Sequence, residues 1–156
     1  MRLIFTIYVV LFSLFQSTMV FANDDPAMAE FLKETRALYD LKEAAFASGD
    51  IKPILNRFYS TDVISTDYEG ITRVGTAGIR PLYEEVIDLY TVKVTSIYPN
   101  VRGDIGWDWA NFEVFAKKPD VEGFVIKILF LWEKVDGEWI CKGDIYVLGD
   151  FNAAPK

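Results

Sequence analysis

The stretch Phe130-Leu131-Trp132-Glu133-Lys134-Val135-Asp136-Gly137-Glu138-Trp139-Ile140-Cys141-Lys142-Gly143-Asp144, FLWEKVDGEWICKGD, decides the fold class. Apolar residues recur at every second position on both sides of Asp136-Gly137. That dipeptide is what a two-residue type I′ hairpin turn requires. The stretch therefore reads as two antiparallel strands, over about 121–135 and 138–149. Period-two patterning continues upstream, giving further strands at about 91–99 and 105–117. Lys117-Lys118-Pro119-Asp120 supplies the turn before the third of the four.

Ahead of this meander the apolar period is helical. Asp24-Asp25-Pro26 is a helix start, with a capping carboxylate and proline in the first turn. Met28, Phe31, Leu32, Leu38, Leu41, Ala45 and Phe46 then form one stripe, and Ser48-Gly49 ends the helix. Asp50 starts a second, shorter helix carrying Ile54, Leu55 and Phe58. Val63 to Asp67 reads as a short strand, with Thr72 to Val74 as its hairpin partner. A third helix begins at Thr76, and Pro81 inside it removes one backbone hydrogen bond. Helices first and strands after give an α+β fold with the helices on one face of the sheet. The predicted strand 121–135 is apolar on both sides: Phe124, Ile126, Ile128, Phe130 and Trp132 on one, Val125, Leu129, Leu131 and Val135 on the other. The second face also needs cover, so a homodimer packing sheet on sheet is expected.

Residues 1–22 read as an export signal: Arg2, an uncharged apolar run from Leu3 to Phe15, and Val20-Phe21-Ala22 as a cleavage site. The run is shorter than the roughly 20 residues a membrane span needs. The expectation is a periplasmic or secreted protein whose single domain covers 23–156, without stable membrane insertion. A net charge of −7 argues against nucleic acid and anionic membranes as partners. Cys141 is the single cysteine, and its place in an apolar strand makes it a small buried residue. The chain contains no histidine, which excludes Ser-His or Cys-His nucleophiles and every histidine-containing zinc site. Acid–base work falls to Asp, Glu, Lys, Tyr or water. No ligand set shows metal spacing, and no cofactor is expected.

The order of the pieces resembles the nuclear transport factor 2-like superfamily: helix, Ser48-Gly49-Asp50, a short helix ending in Phe58-Tyr59-Ser60, GTAGIRPLY at 75–83, then the meander ending in FLWEKVDGEWICKGD. The resemblance spans Phe31 to about Phe151. That group includes the SnoaL-like polyketide cyclases and the ketosteroid isomerases. It implies a cystatin-like cone: three helices packed in a strongly curved antiparallel sheet, a pocket at the open end, and dimerisation through the sheet. It leaves function open, because the same cone serves isomerases, cyclases, dehydratases and non-catalytic binders.

Carried over residue by residue, the isomerase general base falls at Asp67. Desolvation at the wall of an apolar pocket raises such a carboxyl's pKa and fits it to move protons near neutrality. The isomerase's oxyanion-binding tyrosine falls near Lys42 and its protonated aspartate near Leu129, so neither donor is matched. The same resemblance turns Trp107, Trp109, Asn111 and Glu113 toward the helices and pocket. Period two puts Lys142, Asp144 and Tyr146 on one face of the last strand. With Tyr59, these residues make a ligand-binding set for a small apolar or aromatic molecule. Three readings stay open: a ligand binder, a cofactor-free isomerase, cyclase or dehydratase using Asp67 with help from Tyr59, Asn111 or Lys142, and a protein-interaction module. The bland alternatives are a turn aspartate at 67 and a structural ion pair at Lys142.

Overall fold

A computed structural model describes residues 25–152. The segment read as an export signal lies outside these residues. The first helix, α1, runs Pro26–Ser48. The Asp25 carboxylate accepts from the Ala27 N–H at 3.0 Å, satisfying one of the helix's unpaired first-turn donors. At the other end Gly49 takes a left-handed φ of 73° and its N–H bonds the Ala45 carbonyl, as a helix C-cap does. The expected second helix is a single π-helical turn, Ile54–Phe58, that drives Ile54, Leu55 and Phe58 into the core.

Strand β1 (Tyr59–Thr66) and the short β2 (Thr72–Val74) pair antiparallel, and α2 (Gly75–Val86) follows without a linker. Gly75 makes that corner possible. Its φ is +72°, and a Cβ there would lie 3.0 Å from the Thr61 carbonyl oxygen. The meander then runs β3 (Tyr90–Arg102), β4 (Ile105–Ala116), β5 (Phe124–Val135) and β6 (Glu138–Leu148). Asp136 and Gly137 both have positive φ, 52° and 84°, as the hairpin turn demands.

The six strands form one sheet in the order β2-β1-β6-β5-β4-β3. The sequence led to an antiparallel sheet, and the sheet departs from that at one pair. β1 lies parallel to β6, with Ser65 opposite Asp144 and Thr66 opposite Ile145. The chain leaves β1, makes the hairpin, α2 and three strands, and returns beside it. This long-range closure brings two strands nearly 80 residues apart into register, and it builds the site described below.

The inner face packs on α1. Phe130 and Trp132 of β5 are fully buried among Tyr39 and Phe58, with ring centroids 5.3–6.4 Å apart. Burying each ring contributes on the order of 2–3 kcal/mol. On β4 the inward set is Gly106, Asp108, Ala110, Phe112 and Val114. Asp108 accepts from the Tyr39 hydroxyl of α1 at 2.8 Å, and Phe112 meets Phe46 edge-on. The expectation for β4 was thus inverted: Trp107, Trp109, Asn111 and Glu113 belong to the outer face, as does Leu129 of β5, paired with Trp109. A strand apolar on both sides carries no signal of which side meets the helices.

The outer face carries exposed Tyr98, Phe115, Leu131, Ile145 and Val147. The C-terminal segment lies across part of it. Asn111 Nδ2 donates to Asp150 Oδ1 at 2.6 Å, and its Oδ1 accepts from the Phe151 N–H at 3.0 Å. The Phe151 ring stands edge-on to Tyr98 and Trp109, with Lys127 Nζ 4.9 Å from its centroid. Asn111 and Trp109 therefore hold the chain's own tail.

Candidate functional site

A cavity of about 350 Å³ opens between α2, the end of α1 and the inner face of the sheet. Its walls are apolar: Phe46 from α1, Val86 from α2, and Val92, Phe112, Ile126 and Ile128 from β3, β4 and β5. Tyr68, Glu69 and Arg73 stand at the mouth, and Lys42, Tyr59, Ser65, Tyr83 and Asp144 form a buried polar floor.

The floor is one hydrogen-bonded cluster assembled from four elements, α1, β1, α2 and β6. Tyr59, the first residue of β1, puts its hydroxyl at the centre. Lys42 Nζ of α1 donates to it at 2.7 Å, and it lies 2.5 Å from Asp144 Oδ2 on β6. The Tyr83 hydroxyl of α2 lies 3.0 Å away. Ser65 Oγ donates to Asp144 Oδ1 at 2.6 Å. Tyr59 has one proton to give, and the carboxylate takes it, so Tyr83 is the donor of the Tyr59–Tyr83 bond. This leaves the Tyr83 oxygen, further lone pairs of Asp144 and two N–H groups of Lys42 for a molecule in the cavity.

Lys42 is only 1 % exposed. Its Nζ is surrounded by ring centroids of Phe58, Tyr59, Phe130, Phe112 and Tyr83 at 4.2–5.4 Å, a cage that favours a cation. Burial lowers its pKa to about 8, against the pull of Asp144 and Cys141 that would raise it. Burial likewise pushes the Asp144 carboxyl above its usual range, opposed by Lys42 and by the hydrogen bonds from Ser65 and Tyr59. The Tyr59 and Tyr83 hydroxyls are raised far above theirs by burial and by the Asp144 charge. The Lys42 ammonium and the Asp144 carboxyl face each other across the Tyr59 hydroxyl.

Asp67 lines the mouth, but the carboxyl is spoken for. Its Oδ1 accepts from the Glu69 and Ile71 N–H groups at 3.0 and 2.9 Å, and its Oδ2 from Arg73 at 2.8 Å. Burial pushes its pKa up, yet the Arg73 and backbone hydrogen bonds outweigh burial and hold it below the usual value. The raised pKa expected of a proton shuttle is therefore not found. Asp67 shapes the β1–β2 turn. Asp67→Ala is expected to cost about 2 kcal/mol in urea denaturation at pH 7. With the folded pKa below the unfolded value of about 3.8, that contribution is complete above it and fades as pH falls through the folded one.

Of the other residues expected at the site, Tyr59, Asp144 and Tyr146 line the cavity. Trp107, Trp109, Asn111, Glu113 and Leu129 lie across the sheet from it. Lys142 also turns away, to bind Asp62 at 2.6 Å and to approach Glu133 at 3.9 Å. A β-bulge causes this. Trp132 faces Cys141 and Leu131 faces Gly143, so Lys142 is the extra residue and period two breaks across it. Sequence reading passed over Ser65 and Tyr83, and it treated Lys42 only as an unmatched position. Lys42 did carry a signal: it sits four residues after Leu38 and four before Phe46, a lysine inside an apolar stripe.

Comparison with solved structures gives the fold its name. A nuclear transport factor 2-like protein of unknown function from Pseudomonas putida KT2440 superposes with a TM-score of 0.66 at 13 % identity, over 80 % of this chain and 91 % of that one. The chain has the nuclear transport factor 2-like fold. A cystatin-like protein from Caulobacter vibrioides (TM-score 0.64, 11 % identity, 79 % and 92 % covered) shares this fold. So does a nuclear transport factor 2-like protein from Shewanella oneidensis MR-1 (0.64, 15 %, 74 % and 98 %). No family model and no curated protein matches the sequence. In nuclear transport factor 2-like terms, the cavity lies inside the cone and the outer sheet face is its convex side. Among the described residues no three His, Cys, Asp or Glu side chains gather as a metal site needs, and no helix is long and apolar enough to cross a membrane.

Proposed function

We propose that the protein binds a small, largely apolar molecule in the cone cavity, with one polar atom of the ligand on the Lys42–Tyr59–Asp144 floor. The carrying observation is the cavity itself: about 350 Å³ of apolar wall ending in a buried polar cluster with unused hydrogen-bonding capacity. An apolar pocket with a few convergent polar groups is what small-molecule sites look like. The floor carries no net charge and the mouth carries Asp67, Glu69 and Glu85 against Arg73, so a neutral ligand fits better than an anion. A medium-chain alcohol such as nonan-1-ol offers both a donor and an acceptor to the floor. Titration calorimetry should show one site with a negative heat-capacity change. No heat from a series of neutral alcohols and phenols would remove this reading.

A catalytic reading now rests on Asp144, which has the burial and raised pKa once expected of Asp67. Turnover of an enolisable ketone lost in Asp144→Asn, with the variant still folded by circular dichroism, would support it. The proposal extends to an exported homodimer. Residues 1–22 carry the signal pattern, and Leu131, Ile145 and Val147 leave an apolar patch on the convex face that a second copy would cover. Sedimentation velocity should give a dimer for the wild type and a monomer for Leu131→Glu. A monomeric wild type at micromolar concentration would remove the dimer.

A further inference from the structure

We propose that the cavity takes an apolar aldehyde or ketone and that Lys42 holds it as a reversible imine. This rests on the ligand-binding reading and names its chemistry. Lys42 is the one lysine lining the cavity among the described residues, and it lies at the polar floor rather than at the mouth. A buried ion pair is weak evidence for stability, since apolar side chains of similar volume would pack as well. An amine at the end of an apolar pocket is, in contrast, a standard way to activate lysine as a nucleophile.

The hydrogen bonds supply a proton path. Lys42 Nζ gives a proton to the Tyr59 oxygen at 2.7 Å while Tyr59 passes its own to Asp144 at 2.5 Å. The freed nitrogen lone pair forms the N–C bond to the carbonyl carbon, and the C=O π pair moves to oxygen. A proton passes from nitrogen to that oxygen, giving a neutral carbinolamine. Asp144 then returns its proton through Tyr59 to the hydroxyl. The C–O bond breaks, water leaves, and the nitrogen pair forms C=N. Overall an ammonium and a carbonyl give a protonated imine and water. The positive charge is conserved, so Asp144 keeps its counter-ion and the five aromatic rings keep a cation to face. The lowered pKa of Lys42, about 8, gives a usable fraction of free amine near neutrality.

The test uses the intact protein, nonanal and sodium cyanoborohydride at pH 8, read by peptide mapping. Nonan-1-ol binding is measured in parallel by calorimetry. The expected result is a secondary-amine adduct on Lys42 at about tenfold the yield on any other lysine, absent in Lys42→Arg. The wild-type map answers the question even where that variant does not fold. Label spread over surface lysines with Lys42 unmodified, while nonan-1-ol still binds, overturns the imine and leaves the cavity reading standing. Failure of both molecules to bind removes both.

Discussion

Asp144→Asn is expected to destabilise the protein by about 3–5 kcal/mol, the cost of leaving a buried charge without its partner. Lys42 is 1 % exposed and meets Asp144 only through the Tyr59 hydroxyl, with no acid in direct hydrogen-bond contact among the described residues, so the variant leaves an ammonium among aromatic rings or forces it to deprotonate. The double variant Lys42→Met/Asp144→Asn should recover most of that loss. Methionine fills the lysine stem's space, and the asparagine carbonyl and amide still meet Ser65 and Tyr59. Urea unfolding of the four proteins gives the coupling energy directly. A loss in the double variant equal to the sum of the two single losses would show that Lys42 and Asp144 do not act as a pair. Lys42 also leaves a signature in pH. Its folded pKa of about 8 lies below the ordinary 10.5, so between those values the unfolded chain holds more protons than the native one. Stability from this group therefore rises with pH across that window, and the rise should be missing in Lys42→Met.

Ile126→Trp should close the cavity. Ile126 lines it from β5 and is 6 % exposed. The void gives an indole room to enter without the overpacking strain of a filled core, so a stability change within about 1.5 kcal/mol is expected. Ligand binding should suffer far more. Excluding about four methylenes of nonan-1-ol, at about 0.8 kcal/mol each, removes about 3 kcal/mol, or roughly a hundredfold in affinity. Leu131→Glu, on the convex face, should leave the affinity unchanged. Calorimetry of the three proteins decides, and unchanged binding in Ile126→Trp would place the ligand elsewhere.

What the chain shows of this fold in its sequence is local. The Asp25 cap, the Gly49 stop and the Asp136-Gly137 turn each act through a few neighbouring residues, so their side-chain types announce them. The parallel pairing of β1 with β6 has no such marker, because it depends on how the whole meander closes. The bulge at Lys142 is also silent in the pattern, and it turned a correct alternation into a wrong face for that residue. β4 misled for a different reason. Trp107 and Trp109 look like pocket walls, but aromatic side chains serve equally well to cover a sheet and to pin Phe151. At the site, Tyr59, Asp144 and Tyr146 were legible as polar groups on strands entering the cone. Their partner Lys42 was hidden by the habit of reading lysine as solvated surface.

The most direct test of the cavity reading is a two-dimensional NMR titration of the protein with nonan-1-ol. Saturable shifts should appear at Tyr83, Phe112, Ile126 and Ile128 around the cavity, with Leu131, Ile145 and Val147 unmoved. Shifts confined to the convex face, or none at all, would contradict ligand binding inside the cone.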